Sequence, residues 1–442
     1  MLMLLLSVLF YISFAYDLDR TDFTKLLSLF IGLFLLCYKL MQFEKWNFKF
    51  LLTAGILFRL VFLLAEPNLS QDFYRFIWDG ELVANGLNPY LYVPNTLIEQ
   101  PDLVIANAKE LFNGMGELSA KHFSNYPPLN QLIFALSAIV SGKTIFGSIA
   151  AMRIVIILAD IGIVYFGRKL LLKLNLSQHL IFWYFINPLI IVELTGNLHF
   201  EGVMLFFFIW AMYLIASNKW MLAAPIFAFS ISIKLVPLIF LPLFLKYFGL
   251  KKATLFYIIV GVTSLVLLAP FYASEFITHY SDTIGLWFTN FEFNSSFYNI
   301  IKHCAMAFDQ QPWKIIQSFG KISPYLMIVM ALLFTFLRDN KKLSTLITSM
   351  LWVLCIYYFL STTVHPWYIS FVVILCVFSK YRFPILWSAA VVLSYWAYSQ
   401  PDFKENLLFL GLEYVVVFGF MVYEIIRLHK HKLLFQNSNG TT

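Results

Sequence analysis

Long apolar runs, separated by polar connections, occupy most of the chain. A membrane-spanning helix needs about 20 apolar residues, and main-chain groups in lipid must be hydrogen-bonded within the segment. The pattern therefore predicts an all-α, polytopic transmembrane helical bundle with about twelve to fourteen spans. The candidate runs are 1–16, 25–42, 50–66, 149–167, 179–196, 201–217, 220–234, 235–247, 253–271, 323–338, 343–361, 367–379, 383–399 and 407–427.

The composition leaves little room for a soluble protein. Of 442 residues, 60% are hydrophobic and 12% are charged, whereas soluble domains have about 45–50% and about 25%. The net charge of +7 need not indicate nucleic acid, because Lys and Arg collect in cytoplasmic loops of membrane proteins. The four cysteines have no metal or disulfide spacing, and no nucleotide-binding signature is present. We predict no cofactor, no metal and no nucleic-acid partner.

The connections predict how the chain crosses the membrane. The first run lacks a basic n-region and a cleavage site, so we predict a retained span with the N-terminus inside. The connection 67–126 has three basic residues against eight acidic ones if Glu66 is counted, which places it outside. We predict one membrane domain, 1–442, with extracytoplasmic loops at 67–126 and 272–322.

One apolar segment, 126–141, does not fit this alternation. If it crossed the membrane, the basic stretch GRKLLLK at 167–173 would face outward, against the positive-inside rule. We therefore predict that 126–141 is interfacial or re-entrant. The runs 220–234 and 235–247 are each too short for a straight crossing and predict a hairpin of two short helices beside a polar cavity.

Polar residues concentrate in the outer segment SQDFYRFIWDGELVANGLNPY, residues 70–90. Asp72, Arg75 and Asp79 are spaced to share one face of a helix, which Asn88-Pro89 is expected to end. A solvated amphipathic surface helix is one interpretation. A functional site is the other, because the charges follow a membrane span closely and the segment also carries Trp78.

Further polar residues interrupt later apolar runs on the predicted outer side. Asn187-Pro188 breaks the fifth run, which then presents Glu193, Asn197, His199 and Glu201. The spacing of His199 and Glu201 suits an extended turn better than one helix face, and a metal pair there is only weakly indicated. The second outer loop contains FTNFEFNSSFYNI, a composition that carbohydrate- or headgroup-facing loops share with many others.

Two later positions complete the candidate set. Lys234 stands alone in an apolar stretch, where it either extends to an interface or binds an anion such as phosphate. His365 precedes a proline turn, and the neighbouring Trp367 and Tyr368 are also typical of an aromatic belt at a membrane surface. Because nucleotides are absent from the outer face, a lipid-linked substrate fits these positions best.

The motifs that contain these residues resemble motifs of the GT-C superfamily of membrane glycosyltransferases. The likeness is strongest to the bacterial polyprenol-phosphate-mannose-dependent branch and to the catalytic subunit of GPI mannosyltransferase I. The matching motifs occur in order between about residues 70 and 370. They are DFYRFIWDG at 72–80, GLNPY at 86–90, YPPL from Tyr126, NP at 187–188, GNLHFE at 196–201, Lys234 with Pro237 and Pro242, and HPWY at 365–368.

The resemblance implies an inverting transfer of a sugar, in first place mannose, from a polyprenyl-phosphate donor to a hydroxyl acceptor. Asp72 takes the position of the family's catalytic base, and the loop 67–126 becomes the catalytic loop. Some members carry two acids there, whereas this chain has Gln71-Asp72, so a second carboxylate for a metal is missing.

The other residues receive substrate-binding roles under this hypothesis. Arg75 or Lys234 is predicted to stabilise the leaving phosphate, and Asp79 to hold Arg75 or to bind sugar hydroxyls. His365 is predicted to donate to the phosphate or to orient the acceptor. The remaining predicted substrate-binding residues are Trp78, Tyr126, Asn197, His199, Glu201 and Tyr368.

Two functions of other classes stay open at the level of sequence. One is a lipid or sugar transporter or flippase, although no internal repeat is found and the first outer loop is long. The other is a noncatalytic protein that only binds a glycolipid. For the enzyme, the predicted partners are the lipid donor, membrane lipid and a glycolipid, glycan or protein acceptor, at a bacterial inner membrane with the site facing the periplasm or exterior.

Overall fold

A computed structural model describes residues 1–438 of the protein, with side chains given for 1–430. The last four residues of the predicted domain 1–442 therefore lie outside the described residues. Within 1–438 the fold is all-helical, and the only β-type pairing described is an isolated bridge between Phe293 and Thr363. The predicted class, an all-α polytopic helical bundle, is confirmed.

The first half of the chain forms ten α-helices and a π-helix. They are α1 Leu2–Tyr16, α2 Phe23–Glu44, α3 Phe48–Val61, α4 Asp72–Ala84, α5 Pro94–Leu97, α6 Ala108–Ala120, α7 Pro128–Val140, α8 Ile145–Lys173, a 3-10 turn Gln178–Ile181, α9 Phe182–Phe185, α10 Pro188–Ile190 and the π-helix Ile191–Gly196.

The second half alternates longer α-helices with 3-10 segments. They are α11 Glu201–Ala216, α12 Trp220–Ile233, 3-10 Val236–Leu243, α13 Phe244–Phe248, α14 Leu250–Leu268, 3-10 Ala269–Phe271, α15 Phe276–Thr289, α16 Phe297–Met306, α17 Pro312–Leu337, α18 Leu343–Phe359, 3-10 Pro366–Tyr368, α19 Ile369–Val377, α20 Phe383–Ala390, 3-10 Val391–Ser399 and α21 Leu407–Ser438.

Five helices in the described range are long and apolar enough to cross a membrane, and a bent pair adds a sixth if it counts as one span. The bent pair joins Gln178–Phe185 to Pro188–Gly196 at 54°, which confirms the predicted interruption at Asn187-Pro188. Any further crossings in the predicted twelve to fourteen must come from shorter apolar helices. These are Leu2–Tyr16, Pro128–Val140, Glu201–Ala216, Trp220–Ile233, Val236–Phe248, Leu343–Phe359 and Pro366–Val377.

The segment predicted to be re-entrant forms α7, which begins at a proline pair and has 13 residues. That is about 20 Å of helix, less than the roughly 30 Å of a hydrocarbon core. Its inner face packs against α4, where a Cβ at Gly80 would lie 2.5 Å from the carbonyl oxygen of Phe134. Glycine at this position therefore permits the close approach of the two helices. The re-entrant interpretation of α7 stays a prediction.

The helix that carries Asp72 is shorter than expected. α4 ends at Ala84, and the chain turns at Asn85 and Gly86, with φ of +78° at the glycine. The prediction that Asn88-Pro89 ends the helix was therefore wrong, because a left-handed glycine has already ended it. Asn88 instead forms the next turn, accepting from the N–H of Tyr90 at 3.1 Å.

Two buried arginines connect α8 with the ends of neighbouring helices. Arg153 of α8 donates to the carbonyl oxygens of Leu63, Ala65, Thr195 and Gly196 at 2.6–3.1 Å. Arg59 of α3 pairs with Asp160 of α8 at 2.8 Å, and both side chains are fully buried. These contacts fix the end of α3 and the π-helix relative to α8.

Candidate functional site

Four interruptions of regular α-helix meet at one place. They are the start of α4 at Asp72, the turn 197–200 before α11, the break after α12 at Lys234, and the link 360–365 before the 3-10 turn Pro366–Tyr368. Main-chain irregularity within a membrane bundle is tolerated where it is buried or lines a polar site. We define the polar cluster as the side chains at or beside these interruptions together with Tyr126, which interacts electrostatically with Asp72 and Glu201. Its members are Asp72, Tyr126, His199, Glu201, Lys234, His365 and Tyr368.

Each interruption has a local cause in the sequence. Leu198, in the turn 197–200, takes a left-handed conformation with φ of +60°, so the π-helix cannot run directly into α11. Lys234 is extended, with φ of −149° and ψ of 140°, and Pro237 follows it. Proline cannot continue a helix because it lacks an N–H, and the predicted break between two short helices is thus confirmed. Pro366 similarly starts a new turn directly after His365.

An ion pair and aromatic contacts hold the polar cluster together. The Lys234 ammonium pairs with the buried carboxylate of Glu201 and lies 5.5 Å from the ring centre of Tyr368. The indole of Trp367 stacks on His199 at 3.7 Å and on His365 at 4.3 Å between ring centres. Trp367 therefore connects the two histidines, a function that the sequence interpretation missed because a belt role explained it equally well.

Asp72 has the exposure that a reacting group needs. Its side chain is half-buried, and its main-chain N–H donates to the hydroxyl oxygen of Ser70 at 3.2 Å. Burial raises the pKa of the Asp72 carboxyl above its usual value, while His199 and Lys234 act in the opposite direction. The same interactions place Asp72 within electrostatic range of both residues.

Burial favours the neutral form of the two histidines of the cluster. Burial lowers the pKa of His199 to about 4 and that of His365 to about 3. A neutral imidazole offers one donor and one acceptor, so each ring can take part in a hydrogen bond of either sense. Lys234, with 24% of its side chain exposed, is a cation of the cluster and acts to lower the pKa of Asp72.

Arg75 and Asp79 have internal partners. The Arg75 guanidinium donates to Asp79 at 2.7 Å and to the carbonyl oxygens of Ser119 and His122 at 2.5 and 3.0 Å. The second oxygen of Asp79 accepts from Ser124 and Gln131. Asp79 and Arg75 thus form an ion pair, and whether Asp79 serves to hold Arg75 or to bind sugar hydroxyls stays a prediction. Both side chains are buried, and they stabilise the loop between α4 and α7.

Trp78 and Asn197 are also buried and do not belong to the polar cluster. Trp78 is fully buried in α4. Asn197 accepts from the N–H of Leu69 at 2.9 Å and donates to Val192 and to Glu193. Seven of the eleven predicted site residues thus form the cluster, whereas Arg75, Trp78, Asp79 and Asn197 support it, and substrate contacts by these four stay predictions.

Two further residues support the site without having been assigned to it. Glu193 lies against His199, and Arg153 joins the segment leading to Asp72 with the π-helix. A single charge within an apolar run is a signal for a buried functional or structural group, and Arg153 could have been found in that way. In the described part of the chain, no three His, Cys, Asp or Glu side chains converge as metal ligands.

Comparisons with known proteins show which family the chain belongs to. It is similar to the alpha-(1->6)-mannopyranosyltransferase B of Corynebacterium glutamicum, with 27% identity over 146 residues. That match covers 33% of this chain and 23% of the relative, so the chain spans only about a quarter of the relative's length. A family model described as "Alpha-(1->6)-mannopyranosyltransferase, N-terminal domain" matches residues 13–248, which include α4, the turn 197–200 and Lys234. This agrees with the resemblance to GT-C glycosyltransferases, and because the match covers more than half of the chain, the protein belongs to the alpha-(1->6)-mannopyranosyltransferase family.

Proposed function

We propose that the protein transfers a mannosyl residue, with inversion, from a polyprenyl-phosphate donor to a hydroxyl acceptor at the outer face of the membrane. One observation carries the proposal: the half-buried carboxylate of Asp72 shares a cluster with the partly exposed ammonium of Lys234. A base and a cation so arranged suit a reaction in which one group loses a proton and another departs as an anion. Family membership supports mannose as the sugar.

Asp72 acts as the general base in this mechanism. Its carboxylate removes the proton of the acceptor hydroxyl while the acceptor oxygen bonds to the anomeric carbon. General-base assistance of this kind contributes about 10²–10⁴ in rate. As the new bond forms, the bond from the anomeric carbon to the phosphate oxygen breaks, and the polyprenyl phosphate leaves with the electron pair. The proton passes from Asp72 to water after product release.

Lys234 stabilises the departing phosphate. We favour Lys234 over Arg75 for this role, because Arg75 is buried and donates to three protein acceptors, whereas part of Lys234 is exposed. Glu201 neutralises the lysine in the absence of substrate and holds its side chain beside Tyr368. A fixed cation at the leaving oxygens favours the transition state over the bound donor, because negative charge develops there.

His365 and the aromatic residues complete the donor site. His365 is half-buried next to Tyr368, and its ring is kept parallel to Trp367. As a neutral ring it donates one hydrogen bond to phosphate or to a sugar hydroxyl. The indole and phenol faces supply apolar surface of the kind that packs against a pyranose ring.

A transfer assay tests the proposal. Purified protein is given synthetic polyprenyl-phosphate mannose and native glycolipid extract, and Asp72→Asn is compared with wild type. We expect transfer to fall by at least about 100-fold, because the base is removed while side-chain size is kept. Glu66→Gln is the matched control, since Glu66 is an exposed carboxylate directly before the same loop and accepts a hydrogen bond from Tyr74. Full activity of Asp72→Asn would exclude Asp72 as the base.

A further inference from the structure

Glu193 is a buried carboxylate whose two oxygens have different surroundings. Oε1 accepts from the phenol of Tyr395 and from the amide of Asn197, the latter at 3.3 Å. Oε2 lies 3.2 Å from Nε2 of His199 and has no hydrogen-bond partner in the described part of the chain. Both side chains are at most 2% exposed. A carboxylate in such a site is stable only if its charge is matched by donors.

The two nitrogens of His199 likewise differ. Nε2 is buried without a hydrogen-bond partner and lies near Oε2 of Glu193, whereas Nδ1 is not among the buried, unpartnered atoms of the described residues. The structure shows no hydrogen bond between these two atoms despite the 3.2 Å distance, so the ring must rotate to direct its N–H at Oε2. Hydrogen bonds of resting active sites commonly tighten in this way when substrate binds. The bond made by one ring nitrogen determines the state of the other.

We propose that Glu193 is a positioning residue that keeps the proton of His199 on Nε2 and thereby presents Nδ1 as a hydrogen-bond acceptor for a sugar hydroxyl. The inference rests on the proposed function, since it names the part that His199 plays in that site. His199 lies within electrostatic range of Asp72, Glu201 and Lys234. The remaining cluster groups include a lysine that can only donate, so an acceptor nitrogen adds a contact that Lys234 cannot make.

The arrangement around Oε1 makes Glu193→Gln a sharp test. Tyr395 and Asn197 both donate to Oε1, so in the variant the amide oxygen must remain at that position. The amide NH₂ then replaces Oε2 and points its hydrogens at Nε2 of His199. A donor facing Nε2 requires Nε2 to accept, which moves the ring proton to Nδ1. The substitution therefore inverts the tautomer with almost no change in shape.

The tautomer can be read directly by ¹⁵N NMR of protein labelled at its eight histidines, with His199→Gln used to assign the signal. We expect wild-type His199 to carry its proton on Nε2 and Glu193→Gln to carry it on Nδ1. A wild-type proton on Nδ1 would overturn the proposal, as would a Glu193→Gln spectrum identical to wild type. The measurement needs no substrate and therefore stands whether or not mannosyl transfer is the reaction.

Activity supplies the second measurement. Loss of an oriented supporting partner typically costs about 10–100-fold, and we expect Glu193→Gln to lower kcat by that factor while Asp72→Asn removes transfer. An inverted tautomer with unchanged kcat would overturn the role of Nδ1 and leave the proposed function standing. If the wild-type protein shows no mannosyl transfer while the NMR spectra give the expected tautomers, the proposed function is rejected and the role of Glu193 in setting the tautomer stands.

Glu413 offers a matched control. It is also fully buried, its Oε1 accepts from Trp387 at 2.9 Å and Asn294 at 3.2 Å, and its Oε2 has no partner in the described residues. In the described part of the chain, Glu413 forms no ion pair with a histidine, whereas Glu193 pairs with His199. Glu413→Gln therefore repeats the loss of a buried charge without the tautomer effect, and the His199 signal should stay as in wild type. The same inversion in Glu413→Gln would show a general disturbance and overturn the specific role of Glu193.

Discussion

The side-chain oxygen of Asn197 accepts a hydrogen bond from the main-chain N–H of Leu69 at 2.9 Å, across 128 residues of sequence. Leu69 lies three residues before Asp72, and Asn197 lies two residues before His199. The bond therefore fixes the segment that carries the proposed base relative to the turn that carries His199. Arg153 reinforces the same junction through carbonyl groups on both sides.

Removing this bond should impair catalysis more than donor binding. In Asn197→Ala the buried N–H of Leu69 loses its acceptor, at a cost of about 1–3 kcal/mol. We expect kcat to fall at least tenfold, with a smaller change in the KM for donor, as measured in the transfer assay. Asn68→Ala is the control, because Asn68 binds the carbonyls of Phe14 and Leu18 in the adjacent α1 region. Equal kcat losses in both variants would contradict the proposed junction.

The charge of Lys234 should matter more than its length. Lys234→Met removes the cation, and we expect kcat/KM to fall by about 10²–10³, the usual loss of one transition-state donor. Lys234→Arg should keep part of the activity because it retains the charge. Lys246→Met serves as the control, since Lys246 lies in α13, after the break at Lys234, and binds the carbonyls of Phe336 and Arg338. Similar losses for the two methionine variants would argue against a phosphate role.

The pH dependence of transfer should reflect the environment of Asp72. Burial raises the pKa of Asp72, and the base works only when deprotonated, so activity is present above that pKa and is lost as pH falls through it. Lys234 lowers and Glu201 raises the pKa of Asp72. Lys234→Met should therefore move the acid limb of kcat/KM to higher pH, and Glu201→Gln should move it to lower pH. Shifts of the same sign in both variants would refute the assignment of this limb to Asp72.

Arg153 should be a determinant of stability. Its guanidinium makes four hydrogen bonds to carbonyl groups, and Arg153→Met leaves those groups without a donor in an apolar core. Because charged hydrogen bonds contribute about 1.5–3 kcal/mol each, we expect a loss of at least about 3 kcal/mol in unfolding free energy. Denaturant unfolding in detergent measures it. Arg168→Met on the same helix is the control, as Arg168 is exposed and contacts the ring of Phe48; comparable losses would count against the role of Arg153.

The outward orientation can be tested with cysteines in intact cells. Cys304 is exposed in the predicted second outer loop and should react with an impermeant thiol reagent. In a Cys304→Ser background, Lys109→Cys in α6 should react, and Lys173→Cys at the end of α8 should react only after lysis; both lysines are exposed. A reversed pattern would place the polar cluster on the cytoplasmic side.

Much of the architecture follows from local sequence. Apolar runs determine helices in lipid because no other structure satisfies the main chain there, and the Asn187-Pro188 interruption and the break at Lys234 are visible as local signals. The end of α4 was misplaced because both Gly86 and Asn88-Pro89 signal a turn, and only packing decides which ends the helix.

The sequence by itself determined the helical membrane class, the interruptions in the apolar runs, and the residue types suited to sugar transfer. Only the tertiary structure decided which of those residues meet. Folding brings together Asp72, His199, Lys234 and His365, which lie up to nearly 300 residues apart in the sequence. Arg75 is instead buried in an ion pair with Asp79. Spacing along one helix reports a shared face, whereas contacts between helices depend on how whole faces pack, and that information is distributed over the entire chain.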